Sequence, residues 1–116
     1  MTFAAIVLPF AGLSHARAQK AKSRVIDVTL KNRKVIAPKG KIRIFEGETV
    51  ELRWSTDEMV KLHLHGYDKE LKVHPGKPAS MKINGRLTGR FPITSHGWGR
   101  SGHGHHALTY FEVYPR

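Results

Sequence analysis

Eight histidines and no cysteine set the chemistry open to this 116-residue chain. Four of them, His96, His103, His105 and His106, fall in the glycine-rich stretch "SHGWGRSGHGHH". Two more, His63 and His65, stand two residues apart in "KLHLHGYD". Imidazole is the commonest metal ligand of proteins and binds as the neutral ring, so affinity should fall below about pH 6.5. In a strand, residues i and i+2 share a face. His63 and His65 can therefore chelate one ion, each nitrogen at about 2.0–2.1 Å. The same spacing allows a second reading, with both rings in water while Leu62 and Leu64 take the core. Histidine-rich tracts bind copper or zinc by composition, and a solvated Gly/His loop is the alternative for 103–106.

The missing cysteine removes thiol nucleophiles, thiolate ligands and disulfides at once. With nitrogen donors alone, the affinity order of divalent ions favours Cu(II), with Zn(II) next. The expected cofactor is thus copper, with zinc as the other candidate. Catalysis has less support. Tyr67 and Asp68 adjoin, but no Ser-His-Asp set, carboxylate pair or phosphate-binding glycine loop accompanies them. Three histidines would allow a mononuclear copper enzyme, yet no general acid or substrate cleft is legible, so the chain reads as a binding protein. His74 in "VHPG" reads as a turn residue and Trp98 as a local packing anchor.

Short strands must position these groups. The alternation predicts strands at Val25–Leu30, Ile42–Phe45, Thr49–Trp54, Val60–His65, Leu71–Val73, Ala79–Ile83, Gly89–Ser95 and Leu108–Tyr114. Inward positions are Ile42, Ile44, Val50, Leu52, Trp54, Leu62, Leu64, Met81, Ile83, Phe91, Ile93, Phe111 and Val113. Asp27 and Glu112 interrupt apolar runs and belong on outward faces. No long helical period or internal repeat competes. Seven to eight such strands predict an all-β fold, an antiparallel sandwich or barrel.

The first residues read as a leader rather than as fold. Phe3–Leu13 is apolar but too short to span a bilayer, and Ala16-Arg17-Ala18 offers a small-x-small cleavage site. The expected organisation is a signal peptide at 1–18 and one domain at 19–116, exported to the periplasm or secreted. No other stretch approaches a membrane span. Twenty basic residues against nine acidic give a net charge of +11. Such a balance raises nucleic acid, anionic surfaces and an acidic protein partner as candidates. Nucleic acid drops out, because the charges alternate with apolar residues along strands and no basic helix or aromatic platform appears.

"IRIFEGETVELRWSTDEMVKLHLHGYD" and "TGRFPITSHG…HHALTYFEVYP" resemble the two halves of a cupredoxin domain. The likeness is greatest to the EfeO-type cupredoxin-like domains of exported bacterial proteins. It implies a Greek-key β-sandwich over Val25–Pro115. His63, five residues before Asp68, matches the middle-strand histidine ligand of blue-copper members. The place of their cysteine falls at or near Ser95, and their downstream loop gives a histidine and a methionine. Here that loop offers His103, His105 and His106 but no methionine. A blue centre depends on a copper–thiolate bond, so bound copper would be nitrogen-ligated and pale. The resemblance implies metal binding, buffering or delivery through His63 and His65 with some of His96, His103, His105 and His106. A metal-free interaction module for an acidic partner or envelope surface is the alternative.

Overall fold

Burial along the chain follows the period-two pattern of its side chains. In β3 (Ile42–Phe45) both isoleucines are buried while Arg43 and Phe45 are exposed. In β5 (Val60–Leu64) the three apolar residues are buried and Lys61 is exposed. The computed structural model describes residues 2–6, 23–98 and 107–116. Residues 1 and 7–18 of the expected leader, and His103, His105 and His106, lie outside the described residues.

The remaining strands are β1 (Arg24–Lys31), β2 (Lys34–Ala37), β4 (Thr49–Thr56), β6 (Lys69–Val73), β7 (Ala79–Asn84), β8 (Gly89–His96) and β9 (Ala107–Tyr114). They form two sheets, ordered β2-β1-β4-β7 and β3-β9-β8-β5-β6. The inner faces meet in one core built from Val28, Leu30, Trp54, Leu62, Ile83, Ile93, Phe111 and their neighbours. The architecture is the expected all-β sandwich, and each inward residue read from the alternation is buried except Phe91, which is partly so. Among the described residues no helix is long and apolar enough to cross a membrane.

Two features differ from the reading of the sequence. Nine strands are present among the described residues, because β2 joins the set through a two-residue turn. Asn32 and Arg33 both have positive φ, 50° and 63°, the signature of the tight turns that suit a twisted hairpin. Without glycine this turn needs outside support. The Asn32 N–H donates to Asp57 Oδ2 at 3.0 Å, and the Arg33 guanidinium forks onto Glu58 with two bonds of 3.0 Å. The sheets are also mixed rather than antiparallel. β1 runs parallel to β4, and β3 parallel to β9.

Asp27 and Glu112 both face outward, as their places in apolar runs require, but they differ in environment. Asp27 is exposed. Glu112 is only 7% exposed and is enclosed by polar groups. It accepts from the Tyr114 hydroxyl at 2.7 Å and lies 3.0 Å from Lys41 Nζ, 3.6 Å from Arg43 Nε and 3.8 Å from Arg90 Nε. The Tyr114 hydroxyl, and after it Lys41, hold the Glu112 carboxyl below the usual glutamate range. A carboxyl whose pKa falls on folding stabilises the fold fully above its unfolded pKa, about 4.3. That stability is lost as pH drops through the lower folded value. Glu112→Gln is accordingly expected to flatten the acid limb of stability. Urea midpoints measured from pH 7 to pH 2 should converge with the parent at the acid end. Parallel curves for the two proteins would show that Glu112 carries no such linkage.

Candidate metal centre

Three of the six candidate histidines come together on the outer face of the five-stranded sheet. His63 leaves β5 between its register partners Thr94 on β8 and Glu70 on β6. His65 opens the turn that ends β5, and its N–H donates to the Pro92 carbonyl at 3.1 Å. Its ring bends back to Thr94, with Nε2 at 2.9 Å from the hydroxyl. The rings of His63 and His65 are 4.1 Å apart between centroids and inclined by 55°. His96, at the end of β8, stands 6.5 Å from His63. Both His63 and His65 are half-buried, neither in the core nor freely in water.

The turn after β5 has a close-packed reason for its sequence. Gly66 has φ +83°, and a Cβ there would stand 2.3 Å from Phe91 Cδ1. No side chain fits. Phe91 meets Tyr67 edge-on at 5.0 Å, and Tyr67 meets Phe111 at 5.9 Å. The Tyr67 hydroxyl donates to the Leu87 carbonyl at 2.7 Å and accepts from the Leu87 N–H at 3.0 Å. "HGYD" is thereby pinned from both sides, with the Tyr67 hydroxyl tied to the Leu87 backbone. His65 inherits its position from this pin.

Trp98, beyond the end of β8, packs against the core. The Arg33 guanidinium lies 5.8 Å above its ring while forking onto Glu58. Trp98 thus anchors the root of the segment that carries His103, His105 and His106. His74 sits in the bridge His74–Lys77, an exposed turn.

Whether these residues suit a metal depends on donor type and spacing. The donors are imidazoles alone, which suits a borderline cation such as Cu(II) or Zn(II). His63 and His65 are close enough for one ion to meet both rings after modest side-chain rotation. Among the described residues, no three of His, Asp or Glu are already spaced to hold an ion. A complete site needs His96 to turn inward or a donor from 103–106. Thr94 and Glu70 were missed in the sequence because only the pairing of β8 and β6 with β5 brings them here. Glu70 is engaged by Lys61 Nζ at 3.5 Å.

Solved structures share the fold that carries these residues. The chain matches the periplasmic domain of subunit II of cytochrome oxidase (CoxB) of Bradyrhizobium japonicum with a TM-score of 0.61 at 12% identity, covering 84% of this chain and 86% of that one. The fold is cupredoxin-like. Copper nitrite reductase from Nitrosomonas europaea matches with a TM-score of 0.62 at 13% identity, over 82% of this chain and 42% of that chain. A chain of a heme-copper terminal oxidase dimer matches with a TM-score of 0.63 at 22% identity, over 97% of this chain and 77% of that chain. The chain spans less than half of the nitrite reductase chain. At these identities the likeness is one of fold and does not bear on the EfeO-type resemblance. No protein-family model matches the sequence, and no curated protein matches it.

The β5–β8 register relates the imidazole patch to Ser95, at or near which the sequence resemblance puts the cysteine of blue-copper domains. Ser95 pairs with Leu62, which is fully buried, whereas Thr94 pairs with His63 and His96 with Lys61. Side chains alternate across a strand. Ser95 therefore points to the core side, and His63 and His96 point to the other side of the same sheet. Ser95→Cys is expected to give no copper–thiolate band that depends on His63. Visible spectra of Ser95→Cys and Ser95→Cys/His63→Ala with Cu(II) should coincide. A band lost only in the double variant would put thiolate and imidazole on one ion and overturn the assignment of faces.

Proposed function

We propose that this chain is an exported, cupredoxin-like metal-binding protein that takes copper at a nitrogen-only site, for buffering or delivery rather than electron transfer or catalysis. The observation that carries it is the grouping of the His63, His65 and His96 rings on one sheet face. The described strand resumes at Ala107, so a ten-residue segment joins His96 to β9 and offers His103, His105 and His106 as further donors. Zn(II) is the next candidate for the same nitrogens. The leader-like residues 1–18 support export to the periplasm or beyond. The non-catalytic reading is favoured by Tyr67, half of the acid–base pair suggested by the sequence, whose hydroxyl is bonded to the Leu87 backbone.

The untagged protein, mixed with Cu(II) and dialysed at pH 7.5, should retain about one copper per chain. Its EPR spectrum should be of the nitrogen-coordinated, non-blue type. Retention should fall on acidification, because protons compete with the metal for imidazole nitrogen. A folded protein that keeps no copper or zinc would overturn the proposal.

A further inference from the structure

We propose that the corner of the five-stranded sheet formed by β3, β9 and the start of β8 is a docking surface for an acidic peptide segment of another protein. This corner lies at the Gly89 end of β8, whereas His96 closes the other end. It is independent of the metal reading. Its centre is Glu112, with Lys41, Arg43 and Arg90 converging on the one carboxylate. Elsewhere Arg24–Glu48, Arg33–Glu58 and Lys61–Glu70 each join one cation to one carboxylate. Here three cations share a single anion, and their side chains stay 40%, 61% and 52% exposed. Positive charge is left over, and it faces outward.

The cations are also held in place. The Arg90 guanidinium lies 3.8 Å over the Tyr110 ring and that of Arg43 lies 5.7 Å over Tyr114. Tyr114 is itself tied to Glu112 through its hydroxyl. A guanidinium stacked on a ring keeps its donor edge available for a carboxylate, and loses little freedom on binding one. Exposed aromatic side chains flank the cations: Phe45 at 52% and Tyr114 at 39%, their rings 6.3 Å apart. A shallow trough of about 390 Å³ runs beside them, lined by Thr88, Arg90, Glu112, Val113, Tyr114 and Pro115 among others. Arg, Tyr and Phe are the residues enriched where proteins dock. The open trough suits an extended chain with carboxylates and an apolar side chain. A phosphate track fits less well, because Glu112 sits in the middle of the cations.

The test uses a fluorescein-labelled peptide of alternating glutamate and phenylalanine, and a control with glutamine for glutamate. Fluorescence anisotropy should show salt-sensitive binding of the first and none of the second. Arg43→Glu and Arg90→Glu should each weaken it by at least about tenfold, and Arg53→Glu on the opposite sheet by less than about twofold. Glu112→Gln separates arrangement from mere charge: it makes the patch more positive yet removes the group that gathers the cations. Weaker binding by that variant supports the proposal. Tighter binding, equal binding of the glutamine peptide, or binding to anionic phosphatidylglycerol vesicles without binding to the peptide would each overturn it. Comparing the two peptides on the parent protein requires no variant to fold.

Discussion

Replacing Gly66 with alanine is expected to lower the melting temperature by roughly 10–25 °C. Two costs combine. A non-glycine residue at φ +83° costs about 1–2 kcal/mol, as for any left-handed placement. The new methyl would also meet Phe91 at 2.3 Å from Cδ1 and 2.7 Å from Cε1. Such overpacking typically costs about 1–3 kcal/mol more. Phe91 has nowhere easy to go, since Tyr67 packs against it and is bonded at its far end to Leu87. Gly47→Ala is the matched control. Its φ is +88°, with nothing within 4 Å of the added carbon, so it should show only the conformational part, about 1–2 kcal/mol. Equal losses in the two variants, read by thermal unfolding, would mean that Phe91 does not exclude a side chain at 66.

Substituting His63 or His65 with alanine should weaken Cu(II) binding by at least about 100-fold, more than the roughly 10–100-fold of losing a ligand's hydrogen-bond partner. Thr94→Val should fall within that lower range, because it releases His65 Nε2 from its 2.9 Å partner without removing a donor. His74→Ala should leave affinity unchanged. Competition titrations against a chelator of known affinity would rank the four. A His63→Ala protein that binds like its parent would move the site to the 97–106 segment alone, away from β5. The ranking also distinguishes a built site from adventitious uptake by exposed histidines, which would treat His74 and His63 alike.

Much of the fold was legible because alternation records which side of a strand is buried. β3 was read to the residue, and Trp54, Leu62, Ile83 and Phe111 were all placed inward correctly. Direction was not legible. Alternation looks the same in parallel and antiparallel pairs, so the β1–β4 and β3–β9 pairings left no trace. β2 escaped because Asn32-Arg33 contains no glycine, and its positive φ values are supported by Asp57 and Glu58 from a distant turn. For the candidate site, the common face of His63 and His65 followed from their spacing. That His96 joins them, and that Ser95 faces the other way, depends on the β5–β8 register, which no local pattern encodes. Glu112 could be placed outward but not partnered, since Lys41 and Arg43 come from one distant stretch and Arg90 from another.

The position of β9 has a consequence for how the chain assembles. β3 is an edge strand whose neighbour in its sheet is β9, and Thr109 on β9 reaches a carbonyl 69 residues earlier, at Gly40. Closing so long a loop adds little to the equilibrium cost, because that cost grows only logarithmically with length. It slows the search for the native pairing, and topologies dominated by distant contacts fold in milliseconds to seconds. Until β9 docks, the segment Ile42–Phe45 has no partner in its own sheet. A chain in that condition exposes an unpaired strand edge that is open to pairing with other chains until β9 covers it.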